Sequence, residues 1–405
     1  MKMIKKETIW SRNYMLLFGV NMLMSLGVQF LLPTLPLYAT QALGGQQSQI
    51  GYLMGAYSLA ALMIRPLAGY AYDFFDRKKV YLISLTFFSL ITFGYPLLPS
   101  FTYLVLFRFL HGISFGSTST GGGTIVGDII PTSRRGEGVG LMGMANTLSM
   151  ALGPALGLVI MGQDRFTELF CSSAILITAA LILASFLRLP KTKSIKRVLS
   201  VNAFIEKRTF PIGGILLFSA VASGGVISYI TIFARDIGIV NGGIFFMVNS
   251  IGVVLARVFS GRIMDRKGPW KPLLVGYGSL ITGYMLLSAA HSLPLFALSG
   301  FIVGLGNGMV MPTLQTMSIN MVEASARGVA TSTFFSSIDI GIGAGSILVG
   351  WLAGLLPLRS VFLVNGLLCI VPLVLARLFV IPDYESKRRL VMEIKHPVQT
   401  TATSA

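Results

Sequence analysis

The chain has 405 residues, of which 54% are hydrophobic and only 12% charged, with a mean hydropathy of +0.76 and a formal net charge of +17. A soluble globular domain carries about 25% charged residues, so this composition excludes an ordinary water-exposed surface and implies an integral membrane protein. Nucleic acid is excluded as a partner because Lys and Arg punctuate apolar runs instead of clustering on a polar face; the two cysteines, Cys171 and Cys369, lie inside apolar stretches, which excludes a disulfide framework or a Cys-rich metal site.

Uninterrupted apolar runs of about 17–25 residues, the length that crosses a bilayer, occur twelve times. They lie near 14–38, 49–71, 80–98, 102–125, 136–161, 166–188, 210–233, 243–264, 272–290, 294–318, 327–353 and 359–381. Continuous rather than alternating apolarity predicts helices and not barrel strands. The first run continues for about a full span, whereas a cleavable signal peptide has a short apolar region and a small-residue cleavage site, so it is expected to be retained.

Lys and Arg set the expected orientation. Lys2, Lys5, Lys6, Arg12, the cluster Arg77, Lys78, Lys79, the pair Arg134, Arg135, the stretch 188–208, Arg266, Lys267, Lys271 and the run Lys387, Arg388, Arg389 fall on one side. The opposite loops hold only Arg165, Arg235 and Arg359. Both termini are therefore expected in the cytoplasm, with the chain in the cytoplasmic membrane. A six-span unit over 1–188 is followed by a basic linker over 189–209, read as a solvated connection, a second six-span unit over 210–381 and a cytoplasmic tail over 382–405.

The loop after the second span reads Gly69-Tyr-Ala-Tyr-Asp73-Phe-Phe-Asp76-Arg77-Lys78-Lys79. In the fourth span, Arg108 precedes His111, Gly112 and Gly116. A charge well inside a span costs at least a few kcal/mol, so it normally faces a cavity or a partner; the alternative is an Arg reaching back to the outer surface, because it lies about six residues from the start of the span. His111 shares nearly the same helical face and either exchanges protons near neutral pH or is simply hydrogen-bonded. Asp128, at the end of that span, is a candidate partner for Arg77. The fifth span carries Gly140, Ser149 and Gly153-Pro154-Ala-Leu-Gly157, where Gly-Pro favours a kink and small residues admit a neighbouring helix.

In the second half, the corresponding loop reads Gly261-Arg-Ile-Met-Asp265-Arg266-Lys267-Gly268. The eleventh span holds Asp339, the one acid of fifteen that falls within a span rather than in a loop or at a span end. An isolated intramembrane carboxyl can change protonation as access alternates, which makes Asp339 the proton-coupling candidate; a structural hydrogen bond to a neighbouring helix is the alternative. The halves also repeat. At a separation of 192 residues, Arg65, Gly69 and Asp73 fall on Arg257, Gly261 and Asp265, Gly112 and Gly116 on Gly304 and Gly308, and Arg135 and Gly136 on Arg327 and Gly328. Internal duplication of a helical membrane domain is characteristic of secondary transporters, whose substrate site lies at mid-membrane between the repeats.

The two loops resemble the signature loop of the major facilitator superfamily, the second copy more closely than the first, in which Phe74 stands for the expected Arg and Asp76 for the expected Gly. The fourth-span Arg and Gly are similar to that family's fourth-helix motif. The fifth-span run resembles the antiporter motif of its proton-coupled drug exporters, with Ser149 and Leu158 where that pattern has Gly. The resemblance implies an all-α integral membrane fold, with twelve transmembrane helices in two pseudo-symmetric six-helix bundles. It also implies that Gly69, Asp73, Arg77, Asp128, Gly261, Asp265 and Arg266 form a latch holding the halves outward-open. Spans one, four, seven and ten would then line the cavity with Asn21, Gln29, Arg108, His111, Ser223, Tyr229, Asn307 and Gln315, while Asp339, Arg108 and His111 serve proton coupling.

The expected function is a proton-coupled secondary transporter, not an enzyme, that exports a small organic molecule by alternating access. Its partners are the lipid bilayer, the substrate and protons, with no nucleic acid, metal or cofactor, and it is expected as a monomer. Those four spans hold no carboxylate to offset a cation, so Arg108 and His111 favour a carboxylate-bearing or zwitterionic substrate such as a metallophore. A broad exporter of lipophilic compounds and a sugar or nutrient importer are the alternatives.

Overall fold

The computed structural model describes residues 8–44, 50–162, 164–189, 205–239, 242–353 and 355–395. The first bundle comprises α1 (Arg12–Gln41), α2 (Ile50–Phe74), α3 (Arg77–Gly94), α4 (Phe101–Ile129), α5 (Arg135–Met161) and α6 (Phe166–Ser185). The second comprises α7 (Phe210–Asp236), α8 (Gly243–Lys267), α9 (Trp270–Ser288), α10 (Leu293–Asn320), α11 (Arg327–Ala353) and a last span built from α12 (Leu358–Leu368), α13 (Ile370–Leu375) and a π-helical turn, Ala376–Val380. Nine helical stretches among the described residues are long and apolar enough by hydropathy alone to cross a membrane. Helices α2, α4 and α9 complete the twelve, and the first two of these carry charges inside the span, Arg65 and Arg108.

Local chemistry starts and stops these helices where the two loops need them. Ser11 caps α1 by accepting from the Tyr14 N–H at 3.2 Å, and Asp76 caps α3 by accepting from the Lys79 N–H at 2.9 Å. The repeat-related position to Asp76 is Gly268, which ends α8 with φ +75°, a conformation that glycine adopts without penalty. The first loop therefore turns by a side-chain cap and the second by a left-handed glycine. This is how the substitution of Asp76 for Gly is accommodated.

The expected linker and the expected tail fare differently. Residues 190–204, including Lys191, Lys193, Lys196 and Arg197 of the expected linker, lie outside the described residues, as do residues 1–7 and 396–405. The segment read only as a tail from 382 is helical, as α14 (Ile381–Lys395). Tyr384 is fully buried and its hydroxyl accepts from Asn320 Nδ2 at 3.3 Å, while Lys387 pairs with Asp383 at 2.7 Å and donates to the Arg208 carbonyl at 3.2 Å. These contacts hold α14 against the basic end of the second bundle.

Large apolar side chains such as Leu59, Met63 and Leu67 of α2 and Ile83 and Leu90 of α3 are exposed, as lipid-facing positions require. The repeat register is kept in the packing. A Cβ on Gly112 would stand 2.3 Å from the Tyr57 carbonyl oxygen, and one on Gly304 2.1 Å from that of Asn249, residues that are themselves 192 apart. Glycine thus lets α4 approach α2 and α10 approach α8 at the same place in each bundle.

The fifth-span glycines make a comparable seam with α1. Gly153 lies against Gln29 and Gly157 against the Phe30 backbone, whose carbonyl oxygen would be 2.7 Å from a Cβ at 157. Ser149 donates to the Met22 carbonyl at 3.1 Å across the same seam, while Pro154 sits within α5 and Gly140 faces the Arg257 backbone of α8. Gly157→Leu is expected to destabilise the protein by at least the ~1–3 kcal/mol of an overpacked core, seen as a lower thermal midpoint in detergent. Leu158→Ala, at a neighbouring position that is 43% exposed, is the control; equal midpoints for the two variants would contradict the close seam.

Candidate functional site

A cavity of about 520 Å³ lies between the bundles. Its wall draws on α1, α2, α4 and α5 from the first bundle and, from the second, on α7, α8, α10 and α11 with Tyr284 of α9. The surface is mostly apolar and includes Met24, Met142, Met150, Phe115, Phe245 and Phe335, interspersed with amides and hydroxyls. Thioethers and aromatic rings adapt to varied apolar shapes, and the few polar groups set orientation. Among the described residues, three charged side chains reach the wall: Arg65, Arg257 and Asp339.

Asp339 of α11 is paired across the interface between the halves. Arg65 Nε donates to its Oδ2 at 2.6 Å and Nη2 to its Oδ1 at 3.4 Å. Arg65 also donates through Nη1 to Ser119 Oγ at 3.0 Å and lies over the Phe335 ring, 5.0 Å from its centroid. The Arg65 side chain is only 3% exposed against 23% for Asp339. The carboxylate therefore faces the cavity with the guanidinium behind it. The hydrogen bond expected as the alternative for Asp339 is in fact an ion pair, made to a residue that sequence reasoning used only to set the repeat register. Counting basic residues inside spans as completely as acidic ones would have found both Arg65 and Arg257.

Of the residues expected in the cavity, Asn21, Ser223, Asn307 and Gln315 are in its wall. Gln29, Arg108, His111 and Tyr229 are not, which corrects their placement. Gln29 is turned into the α1–α5 seam and Tyr229 packs in the second bundle's core, near Gly350. Arg108 does not reach the outer surface either: it is 2% exposed, with its guanidinium 4.2 Å from the centroid of the Tyr57 ring. His111 is fully buried beside it, Nδ1 2.9 Å from the Tyr95 hydroxyl and its ring edge-on to those of Tyr57, Phe88 and Tyr95. The pair is enclosed in an aromatic cage inside the first bundle, where the ring faces offset the buried charge. The shared helical face of Arg108 and His111 was legible from spacing; that it points at α2 and α3 was not.

Between the cavity and the face that carries the basic loops, the halves are latched. The Asp73 carboxylate accepts from the backbone N–H groups of Gly328 and Val329 at 2.8 and 2.9 Å, and Asp265 accepts from those of Gly136 and Glu137 at 2.8 and 2.9 Å. Each acid ends a helix of one bundle and caps the N-terminus of a helix of the other, where free N–H groups and the helix dipole favour negative charge. Gly69 and Gly261 permit the approach: a Cβ on Gly69 would stand 2.8 Å from the Gly328 carbonyl oxygen, and one on Gly261 2.3 Å from that of Gly136.

Buried charges reinforce the latch. Asp128 receives Arg77 and, from the other half, Arg327 Nη1 at 2.7 Å; Arg77 also donates to Asp73 at 3.0 Å and to the Ala324 carbonyl. The repeat-related contact joins Arg135 to Asn320 Oδ1 at 2.5 Å. Glu137 accepts from Arg134 at 2.6 Å and from Arg262 of the second bundle at 2.8 Å. Arg266 is exposed and among the described residues makes no ion pair in the latch, so Arg262 occupies the role expected of it. Arg262, Glu137 and Arg327 were missed because charged residues at span ends are also what a basic membrane face requires.

Comparison with known proteins bears on the same architecture. The profile of the Major Facilitator Superfamily matches residues 17–290 and 281–403. The staphylopine export protein of Staphylococcus aureus is 27% identical over 356 residues, covering 82% of this chain and 88% of its own length. Multidrug resistance protein 1 of Bacillus subtilis is 24% identical over 338 residues, covering 81% and 86%. Among solved structures, the human organic anion transporter MFSD10 superposes with a TM-score of 0.76 at 17% identity, over 90% of this chain and 98% of that one.

Proposed function

This chain belongs to the major facilitator superfamily, and from that membership we propose that it is a proton-coupled exporter of a small organic molecule, with the basic face and both termini in the cytoplasm. The single observation that carries the proposal is Asp339, a carboxylate that faces the cavity and ties the two bundles together through Arg65. Exchange of substrate for protons requires that the two compete for one group. A positively charged group on the substrate can approach Asp339 from the cavity; a proton delivered from the outer side removes the carboxylate's charge and with it that attraction. Protonation also releases Arg65. Disrupting a buried ion pair costs about 3–5 kcal/mol, comparable with the ~2.3 kcal/mol a charge gains across 100 mV plus ~1.4 kcal/mol per unit of pH gradient.

The wall supports a substrate class. A cavity with two arginines and one carboxylate suits a carboxylate-bearing or zwitterionic molecule, and the similarity to the staphylopine export protein supports a metallophore-like substrate. The mostly apolar surface, with its Met and Phe side chains, favours a second reading, a broad exporter of lipophilic compounds, for which the similarity to multidrug resistance protein 1 speaks. The test is uptake into everted membrane vesicles with an acidic lumen. Carboxylate-bearing zwitterions are expected to accumulate at least about fivefold over vesicles without the gradient, within the ~16-fold that about 1.2 units of pH difference can drive for one proton. If lipophilic cations accumulate while the zwitterions do not, the second reading replaces the first.

A further inference from the structure

Arg65 and Arg257 occupy equivalent positions in the two repeats, yet only one of them is neutralised. Arg65 has three partners in the first site: Asp339, Ser119 and the Phe335 ring. The positions related to these by the 192-residue register are Thr147, Met311 and Gly143. An acid has become a hydroxyl, a hydroxyl a thioether, and a ring has been deleted. All three replacements line the same cavity as Arg257. Thr147 does not serve as a substitute partner: its hydroxyl donates to the Gly143 carbonyl of its own helix at 3.3 Å, and among the described residues no hydrogen bond joins it to Arg257.

The consequence for Arg257 is a guanidinium without a counter-charge. Its Nε and Nη1 have no hydrogen-bond partner among the described residues, and no carboxylate lies within ion-pair distance. The head group rests where a side chain at 143 would be: a Cβ on Gly143 would stand 2.3 Å from Nη1 and 2.7 Å from Cζ. Glycine at 143 thus makes room for the guanidinium while withholding any group that would satisfy it. Leaving a charged donor unpaired is expensive in a desolvated site, so the arrangement is stable chiefly with an anion at the wall.

We propose that Arg257 is the anion subsite of the cavity, created by loss of the acid that its repeat-related position retains, and that it takes the carboxylate of the transported molecule. This deepens the export reading and rests on it, in that the cavity must be the transport site. The pseudo-two-fold relation puts Asp339 and Arg257 on opposite walls, one at the α2–α11 interface and one at α5–α8. A zwitterion is thereby held at two points. Its ammonium group lies towards Asp339, where a proton displaces it, and its carboxylate lies on Arg257, which does not titrate in the physiological range. Proton exchange then releases one end of the molecule while the other sets its orientation.

The experiment compares two forms of one probe, a fluoroquinolone with its free carboxylate and the methyl ester of the same compound, in equilibrium binding to the purified full-length protein. Wild type is expected to hold the acid about tenfold tighter than the ester, the lower end of what a charge-assisted hydrogen-bonded pair contributes. In Arg257→Gln the ratio is expected to fall to about one. Thr147→Asp, which restores to Arg257 the partner that Arg65 has, is expected to do the same with the arginine still present. Because the readout is a ratio, a general loss of affinity in either variant cancels. Equal binding of acid and ester by wild type, or a ratio unchanged in both variants, overturns the subsite. The export reading fails by a different result: neither form accumulating in acid-lumen vesicles, whatever the binding ratio.

Discussion

Asp339→Asn is expected to abolish proton-driven accumulation, lowering it by at least about tenfold, while exchange of substrate for substrate across the membrane continues. Asn preserves the size and the hydrogen-bonding shape of the side chain but cannot take up a proton, so the link between gradient and transport is cut. Two effects must be separated, because the same change leaves Arg65 without its carboxylate, and an orphaned buried charge costs about 3–5 kcal/mol of stability. Arg65 keeps Ser119 and the Phe335 ring, which offsets part of that cost. The double variant Arg65→Gln with Asp339→Asn removes the orphan and is expected to recover thermal stability in detergent without recovering accumulation. Normal gradient-driven accumulation by Asp339→Asn would remove the residue from the coupling mechanism.

The second large effect is expected at the latch. Asp73→Ala removes two hydrogen bonds from backbone N–H groups to a buried carboxylate, each worth about 1.5–3 kcal/mol for a charged acceptor. Even 2.8 kcal/mol is about a hundredfold in a two-state equilibrium, enough to convert a closed basic face into a largely open one. Asp265→Ala removes the matching pair at the other interface. Asp73 is expected to matter more, because it also holds Arg77, which joins the Asp128 and Arg327 network across the halves. Spin labels on Phe75→Cys and Arg266→Cys, both exposed, in a background lacking Cys171 and Cys369, report the separation of the two bundles at this face. A longer-distance population should appear in each latch variant and dominate when both are combined. Unchanged distances in both would mean that the backbone caps do not hold the halves together.

The legible and illegible parts of this molecule divide along a physical line. Membrane span count and the duplication were readable because each depends on composition or order along the chain: twelve apolar runs and a constant separation between like residues. The latch was half legible. Its acids stand out in repeated loops, but their acceptor role at Gly328, Val329, Gly136 and Glu137 depends on which helix N-terminus arrives beside them. The cavity wall was the least legible. In a soluble helix the apolar stripe marks the inward face, whereas a membrane span is apolar towards lipid as well as towards its neighbours, so periodicity no longer says which face looks inward. Arg108 and His111 therefore passed for cavity residues when they lie in an aromatic cage, and Arg65 and Arg257 passed for register marks when they reach the wall. By itself the sequence determined that this is a duplicated helical membrane protein with one isolated acid inside a span. Only the tertiary structure decided that this acid is shared with Arg65 from the opposite half and that Arg257 has no such partner among the described residues, because the pairing of charges on different helices is set by how the two bundles meet.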